Sequence, residues 1–288
     1  MTKTCGGSGV GDGRGDGVTV GDVTTEGDAL GLGRSPAALG VHAASSVSAV
    51  KLTARRWAME IRPERGGRIT SLRLDREELL DQGIGVDQPT ANGFVEGGAW
   101  GWDEMVPNVE ATATMPDHGE AWRVPWEVLR VHSESVVMRA AGRVVPWELT
   151  RTIEVGEAVR VAYVYRNAGD APQLAYWCAH PLFRYEHGMD LVGMPPPAEG
   201  SSLKTFLAKG SLDRFPLRWR SGAGVEVSWD PTLTPYVAVW VCNGDLGGYR
   251  QVAIEPATGG NDRPEPAAPP PLLQPGASFR WWLQIRHL

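Results

Sequence analysis

The stretch Met115–Trp122, MPDHGEAW, sets His118 between Asp117 and Gly119, with Glu120 two residues further on and Trp122 closing the run. The chain has six histidines, so one placed in a Pro/Gly-marked loop between carboxylates asks for a chemical reading. Three are open: a metal ligand, a group that acts on a substrate, or the cap of a turn. Three further stretches depart from plain structural grammar. In YWCAHPLFRYEHG (176–188) His180 precedes a proline, in VAIEPATGGND (252–262) an apolar run ends in Glu255-Pro256, and GGAWGWDEMVPNVEA (97–111) gathers Trp100, Trp102, Asn108 and three acids among glycines. A carboxylate and an imidazole can take one proton and give another near neutral pH, each contributing on the order of 10²–10⁴-fold. Tryptophans beside carboxylates, asparagine and histidine suit a sugar, whose C–H faces stack on aromatic rings and whose hydroxyls need hydrogen-bond partners.

The elements that would position these groups are strands. In WAMEIR, Trp57, Met59 and Ile61 alternate with polar or small residues; in VRVAYVYR, Val159, Val161, Tyr163 and Tyr165 share one face; in SFRWWLQIR, Phe279, Trp281, Leu283 and Ile285 do so. Period-2 alternation of this kind marks half-buried antiparallel strands. Further strands are expected at 67–74, 123–131, 135–142, 147–155, 172–178, 224–230, 236–242 and 250–255, separated by turn signals such as Gly66-Gly67, NAGDAP and QPGA. VPWE occurs at 124–127 and again at 145–148, which predicts a meander with proline at two strand entries, where no ladder donor is lost. No convincing amphipathic helix is present. About a dozen closely spaced strands predict an all-β sandwich with few or no helices, its histidines and glutamate gathered at one mouth of a sheet.

Residues 1 to about 47 are different. They are rich in glycine, aspartate, serine and alanine, with too little to bury to offset the entropy of ordering, and are expected to be a disordered tail ahead of a domain spanning 48–288. Their glycines form no nucleotide-binding loop, and no basic-then-apolar leader pattern opens the chain.

Taken in order, the motifs resemble those of the aldose 1-epimerase (galactose mutarotase-like) superfamily, from about residue 50 to 288. PERGGRITSLRLDREELL resembles the family's early strand pair, GWDEMVPNVEA and PDHGEAWRVPWEV resemble its bacterial branch, and AHPLF, IEPATG and LQPGASFRWWLQI resemble its His-Pro, Glu-Pro and last-strand segments. The resemblance implies a large antiparallel β-supersandwich with a cleft across one sheet. It also implies that Glu255 is the base that takes the proton of the C1 hydroxyl, that His180 is the acid that protonates the ring oxygen, and that His118 holds or polarises that oxygen or a neighbouring hydroxyl. Asp213, in SLDRFPL, falls where the family often places a substrate-binding aspartate; Asn108, Asp117, Trp102 and Trp122 complete the expected sugar-binding set. Two departures stand out: Pro107-Asn108-Val109-Glu110 lacks the arginine that many members carry before the first histidine, and Leu182 stands where His-Pro-Tyr-Phe has tyrosine.

Proton transfer of this kind calls for no cofactor and no metal. The chain of 288 residues has a formal net charge of -6, 42% hydrophobic residues and scattered arginines, which gives no reason to expect nucleic acid or an anionic membrane as partner. No apolar run approaches the ~20 residues of a membrane span. Cys5, Cys178 and Cys242 are far apart and are expected as thiols in a reducing cytoplasm. With no basic cluster near the motifs, the expected ligand is a neutral aldose. Two other readings compete: a carbohydrate-binding protein on the same sandwich that has lost catalysis, and a metal-dependent sugar isomerase using Asp117, His118, Glu120 and His180 as ligands.

Overall fold

A computed structural model describes residues 49–288, so the expectation for residues 1–47 falls outside the described part. Strands β1 to β5 are Val50–Ala54, Trp57–Arg62, Arg68–Leu74, Glu77–Glu78 and Trp102–Met105, with a single short helix, α1 (Phe94–Gly98), before β5. Strands β6 to β11 are Glu127–Val131, Ser135–Ala141, Trp147–Val155, Ala158–Asn167, Gln173–Leu174 and Cys178–Arg184. Strands β12 to β18 are Ser201–Phe206, Arg214–Arg218, Gly224–Trp229, Tyr236–Asn243, Arg250–Ala257, Leu272–Leu273 and Ser278–His287.

Two antiparallel sheets take up most of them. The nine-stranded sheet runs β1-β2-β3-β5-β11-β16-β15-β12, with β4 attached to β3, and the seven-stranded sheet runs β13-β14-β18-β9-β8-β7-β6. The alternation read from the sequence decides which face is buried. Trp57, Met59 and Ile61 of β2, and Val159, Val161, Tyr163 and Tyr165 of β9, enter one apolar core with Trp281, Leu283 and Ile285 of β18, while Arg160 and Arg166 face out. Both VPWE copies lead into strands of the expected meander, β6 and β8 flanking β7.

A buried polar cluster ties the sheets together. Glu104 of β5 accepts hydrogen bonds from Arg151 of β8 (3.0 Å), the Tyr163 hydroxyl of β9 (2.9 Å) and the Trp177 indole just ahead of β11 (2.8 Å). Burial pushes the Glu104 carboxyl up, against the pull of Arg151 and the hydrogen bonds. Arg151 also donates to the Gly67 carbonyl, so no member of the cluster depends on water for its main partners.

The structure corrects several strand expectations. The 97–111 stretch, read as a loop, contains β5. Within 172–178 only Gln173–Leu174 pairs, on β17, before the long strand that starts at Cys178; β6 starts at Glu127 rather than at 123. Strands β11 and β16 are buried on both faces, all but one terminal residue each. Such strands lose the polar half of the alternation, which is why the sequence pattern blurs around the residues of greatest chemical interest.

Candidate active site

Strands β11 and β16 lie side by side at the middle of the larger sheet. The register that pairs Cys178 with Ala257 and Leu182 with Ala253 sets His180 opposite Glu255. Ala179 and Phe183, with Val252 and Ile254, point into the core between the sheets. The alternate set, Cys178, Leu182, Ala253 and Ala257, belongs to a second apolar cluster on the outer face with Phe94, Trp122 and Tyr249. His180 and Glu255 therefore rise from the outer face of the sheet, into a cleft of about 250 Å³. His180 Nε2 stands 3.6 Å from Glu255 Oε1.

His118 reaches the same cleft from the loop after β5. Its backbone has φ 58 and Gly119 follows at φ 70; a Cβ on Gly119 would collide with the Val106 carbonyl, so the turn requires glycine there. The ring is fixed three ways: it stacks on Phe94 (4.3 Å between centroids, 13° between planes), its Nδ1 lies 2.8 Å from Asp117 Oδ1, and its edge meets His180 at 5.3 Å. The other oxygen of Asp117 accepts the Phe94 backbone N–H at 2.7 Å. Burial works against the Asp117 carboxylate, but the His118 hydrogen bond and charge, with the Phe94 N–H and Arg123, hold its pKa below the ordinary value.

The charges at the floor oppose one another. Burial, and then the basic groups of His118, Lys204 and Arg68, hold His180 well below the ordinary imidazole range. Burial pushes Glu255 up; Lys204 pulls it back, Asp262 adds to the rise and His118 reduces it. The expected resting pair of Glu255 carboxylate and His180 imidazolium is therefore disfavoured at both members.

Of the residues expected on the sugar, the structure brings Glu255, His180, His118 and Asp117 to the cleft. Four others lie elsewhere. Asp213 sits at the entry to β13, in the other sheet, exposed and paired with Arg214. Trp102 is fully buried in the core between the sheets. Trp122 packs edge-on beneath Phe94 and donates to the Asp117 carbonyl, backing the wall without reaching the cleft surface. Asn108 is buried, its amide donating to the Glu110 and Pro116 carbonyls, and so staples the His118 loop. The metal reading also loses a member: Glu120 binds the backbone N–H groups of Arg143 and Val144 and the Trp147 indole, away from the histidines. No cluster of three such ligands forms among the described residues.

The cleft adds groups that the sequence did not single out. Lys204 of β12 lies 2.7 Å from Glu255 Oε2 and 2.5 Å from Asp262 Oδ1, and Trp240, Tyr249 and Gln251 form part of the wall. A weak signal for Lys204 existed: it is one of only four lysines in a chain whose other cations are all arginine.

A two-sheet antiparallel sandwich with its cleft on the outer face of the larger sheet is the galactose mutarotase-like fold, and comparison with solved structures bears this out. The chain superposes on the Slr1438 protein from Synechocystis sp. PCC 6803 with a TM-score of 0.68 at 16% identity, covering 83% of this chain and 95% of that one. A galactose mutarotase-like protein from Lactobacillus casei ATCC 334 gives 0.64 at 16% identity, with 83% and 100% covered. A galactose mutarotase related enzyme from Lactobacillus acidophilus gives 0.61 at 17% identity, with 83% and 97% covered. At these identities the likeness is one of fold. No family model and no curated protein matches the chain.

Proposed function

We propose that the protein is an aldose 1-epimerase-like isomerase that interconverts the α and β anomers of a neutral aldose by acid–base ring opening. The observation that carries this is the His180–Glu255 pair, 3.6 Å apart and buried at the floor of a cleft smaller than the roughly 300–1,000 Å³ of drug-sized pockets. Glu255 takes the proton of the C1 hydroxyl, and His180 returns a proton to the ring oxygen. The hemiacetal C1–O bond breaks, C1 rotates, and the reverse transfers close the ring on the other face. His118, oriented by Asp117, holds a hydroxyl or the ring oxygen.

Two further features support a sugar. His180 Nδ1, the Tyr249 hydroxyl and Gln251 Oε1 are buried without a protein partner, and all three residues line the cleft. Buried polar atoms are rarely left unmatched, and ring hydroxyls would match them. Glu110, Asp117, Glu255 and Asp262 line the cleft, where Lys204 is the one lysine or arginine among the lining residues, a balance that repels phosphorylated sugars.

Freshly dissolved α-anomers of several aldoses, followed by optical rotation, test the proposal. Glu255→Gln keeps the shape and removes the base, so kcat should drop about 10²-fold or more with binding largely retained, and His180→Asn should do the same. Wild-type kcat in both variants would sink the acid–base assignment. A second reading, sugar binding without turnover, draws on the burial that keeps the proton off His180. Sugar binding in calorimetry without any change in the rate of mutarotation would favour it.

A further inference from the structure

Lys204 has no part in the two proton transfers, yet it touches the group that begins them. It stands on β12, the last strand of the larger sheet, with its side chain largely buried. Its ammonium contacts the two carboxylates at 2.7 Å (Glu255 Oε2) and 2.5 Å (Asp262 Oδ1). The two oxygens of Glu255 are thus divided, Oε1 toward His180 and Oε2 toward Lys204.

The other groups facing Glu255 are few. From β11 come His180 and Cys178, whose thiol lies 4.0 Å away; ahead of β11 comes Tyr176; from the loop after β5 comes His118; and Asp262 follows β16. Burial pushes the Cys178 thiol and the Tyr176 hydroxyl up, so both stay uncharged beside the carboxylate. Burial also opposes the Lys204 charge, but Glu255, Cys178 and Asp262 outweigh it and raise the ammonium above its ordinary range. Lys204 is therefore a permanent cation in direct contact with Glu255, anchored from behind by Asp262.

We infer that Lys204, fixed by Asp262, is a positioning residue that holds Glu255 as the carboxylate required for base work. This rests on the acid–base reading above, and its test has an arm that needs no turnover. Removing a cation raises the pKa of every ionisable neighbour. Lys204→Met should therefore move the whole pH–rate bell to higher pH, by about one unit or more, and lower its maximum about tenfold as a proton settles on Glu255. Lys204→Arg keeps the charge and should restore the position of the bell. A purely structural lysine would lower the bell in Lys204→Met and leave its position unchanged, and that result overturns the inference.

The second arm is infrared titration of the Glu255 carboxyl, its C=O band assigned by its loss in Glu255→Gln. The band should persist to higher pH in Lys204→Met than in the wild type, whether or not any sugar is turned over. An unmoved band overturns the inference while leaving the acid–base proposal standing; a moved band in a protein that turns over no aldose supports the inference and sinks only the reaction. Should Lys204→Met not fold, the wild type decides: a Glu255 carboxyl band present at pH 7 is incompatible with the role.

Discussion

Three residues meet in the cleft from three different constraints. Glu255 and His180 are placed by strand register, and His118 by a loop that holds a left-handed φ of 58. Histidine is among the few residues besides glycine that take such backbone readily, and the Phe94 stack and the Asp117 carboxylate keep the ring aimed. Asp117→Asn should keep a hydrogen-bond acceptor for the Phe94 N–H but lose the charge behind His118. The expected result is a fall in kcat/KM of about 10–100-fold, because misaimed catalytic groups are costly, read from polarimetric kinetics. Asp213→Ala should leave both constants unchanged and shift stability by less than about 1 kcal/mol, since the ion pair it breaks with Arg214 lies at the surface. The pH dependence follows from the opposed shifts. Burial raises Glu255 and depresses His180, so the acid limb of the bell, set by ionisation of the base, should lie above the ordinary carboxylate range and the alkaline limb, set by loss of the proton from the acid, below the ordinary imidazole range; a profile of kcat/KM against pH checks both. His118, His180 and Glu255 were legible as motifs because each sits beside a proline or a glycine that marks a turn or a strand end. Trp102 and Asn108 were not, since a stretch dense in glycine hid β5 and turned two interior residues into apparent loop groups. Asp213 misled because an aspartate ahead of a strand looks alike on either sheet.

At the scale of elements, the two sheets are held in register by the cluster on Glu104. Taking away one member of a buried ion pair leaves the other charge without a partner in a low-dielectric interior, at a cost of roughly 3–5 kcal/mol. Glu104→Ala should destabilise by about that amount in urea unfolding, and Glu104→Met with Arg151→Met should recover much of the loss, since a packed apolar pair can replace a buried ionic one. Strands such as β2, β9 and β18 were legible because one face meets the core and the other meets water. The ones that matter most for the site were legible only in part. β11 and β16 are apolar on both faces, which conceals which residue points where, and β12 shows no buried alternation at all, with burial running from intermediate to exposed throughout. Lys204 was lost with it.

At the scale of the whole molecule, the position of the cleft follows from the pairing of β11 with β16. A chain beginning at Ser48 should match the full chain in melting temperature and in kcat/KM, and a large loss of either would mean that the leading residues pack on the sandwich. Lys204 adds a thermal consequence. It sits on β12, which has a neighbour on one side only, whereas Glu255 and His180 sit on strands paired on both sides. Edge elements open at lower free energy than central ones. On warming, Ser201–Phe206 should therefore loosen first, withdrawing the cation from Glu255 while the sandwich stays folded. Activity should fade, reversibly, several degrees below the loss of tryptophan fluorescence, and the amides of β12 should exchange with deuterium ahead of those of β11 and β16. The protein would then have a working temperature set by a single peripheral strand.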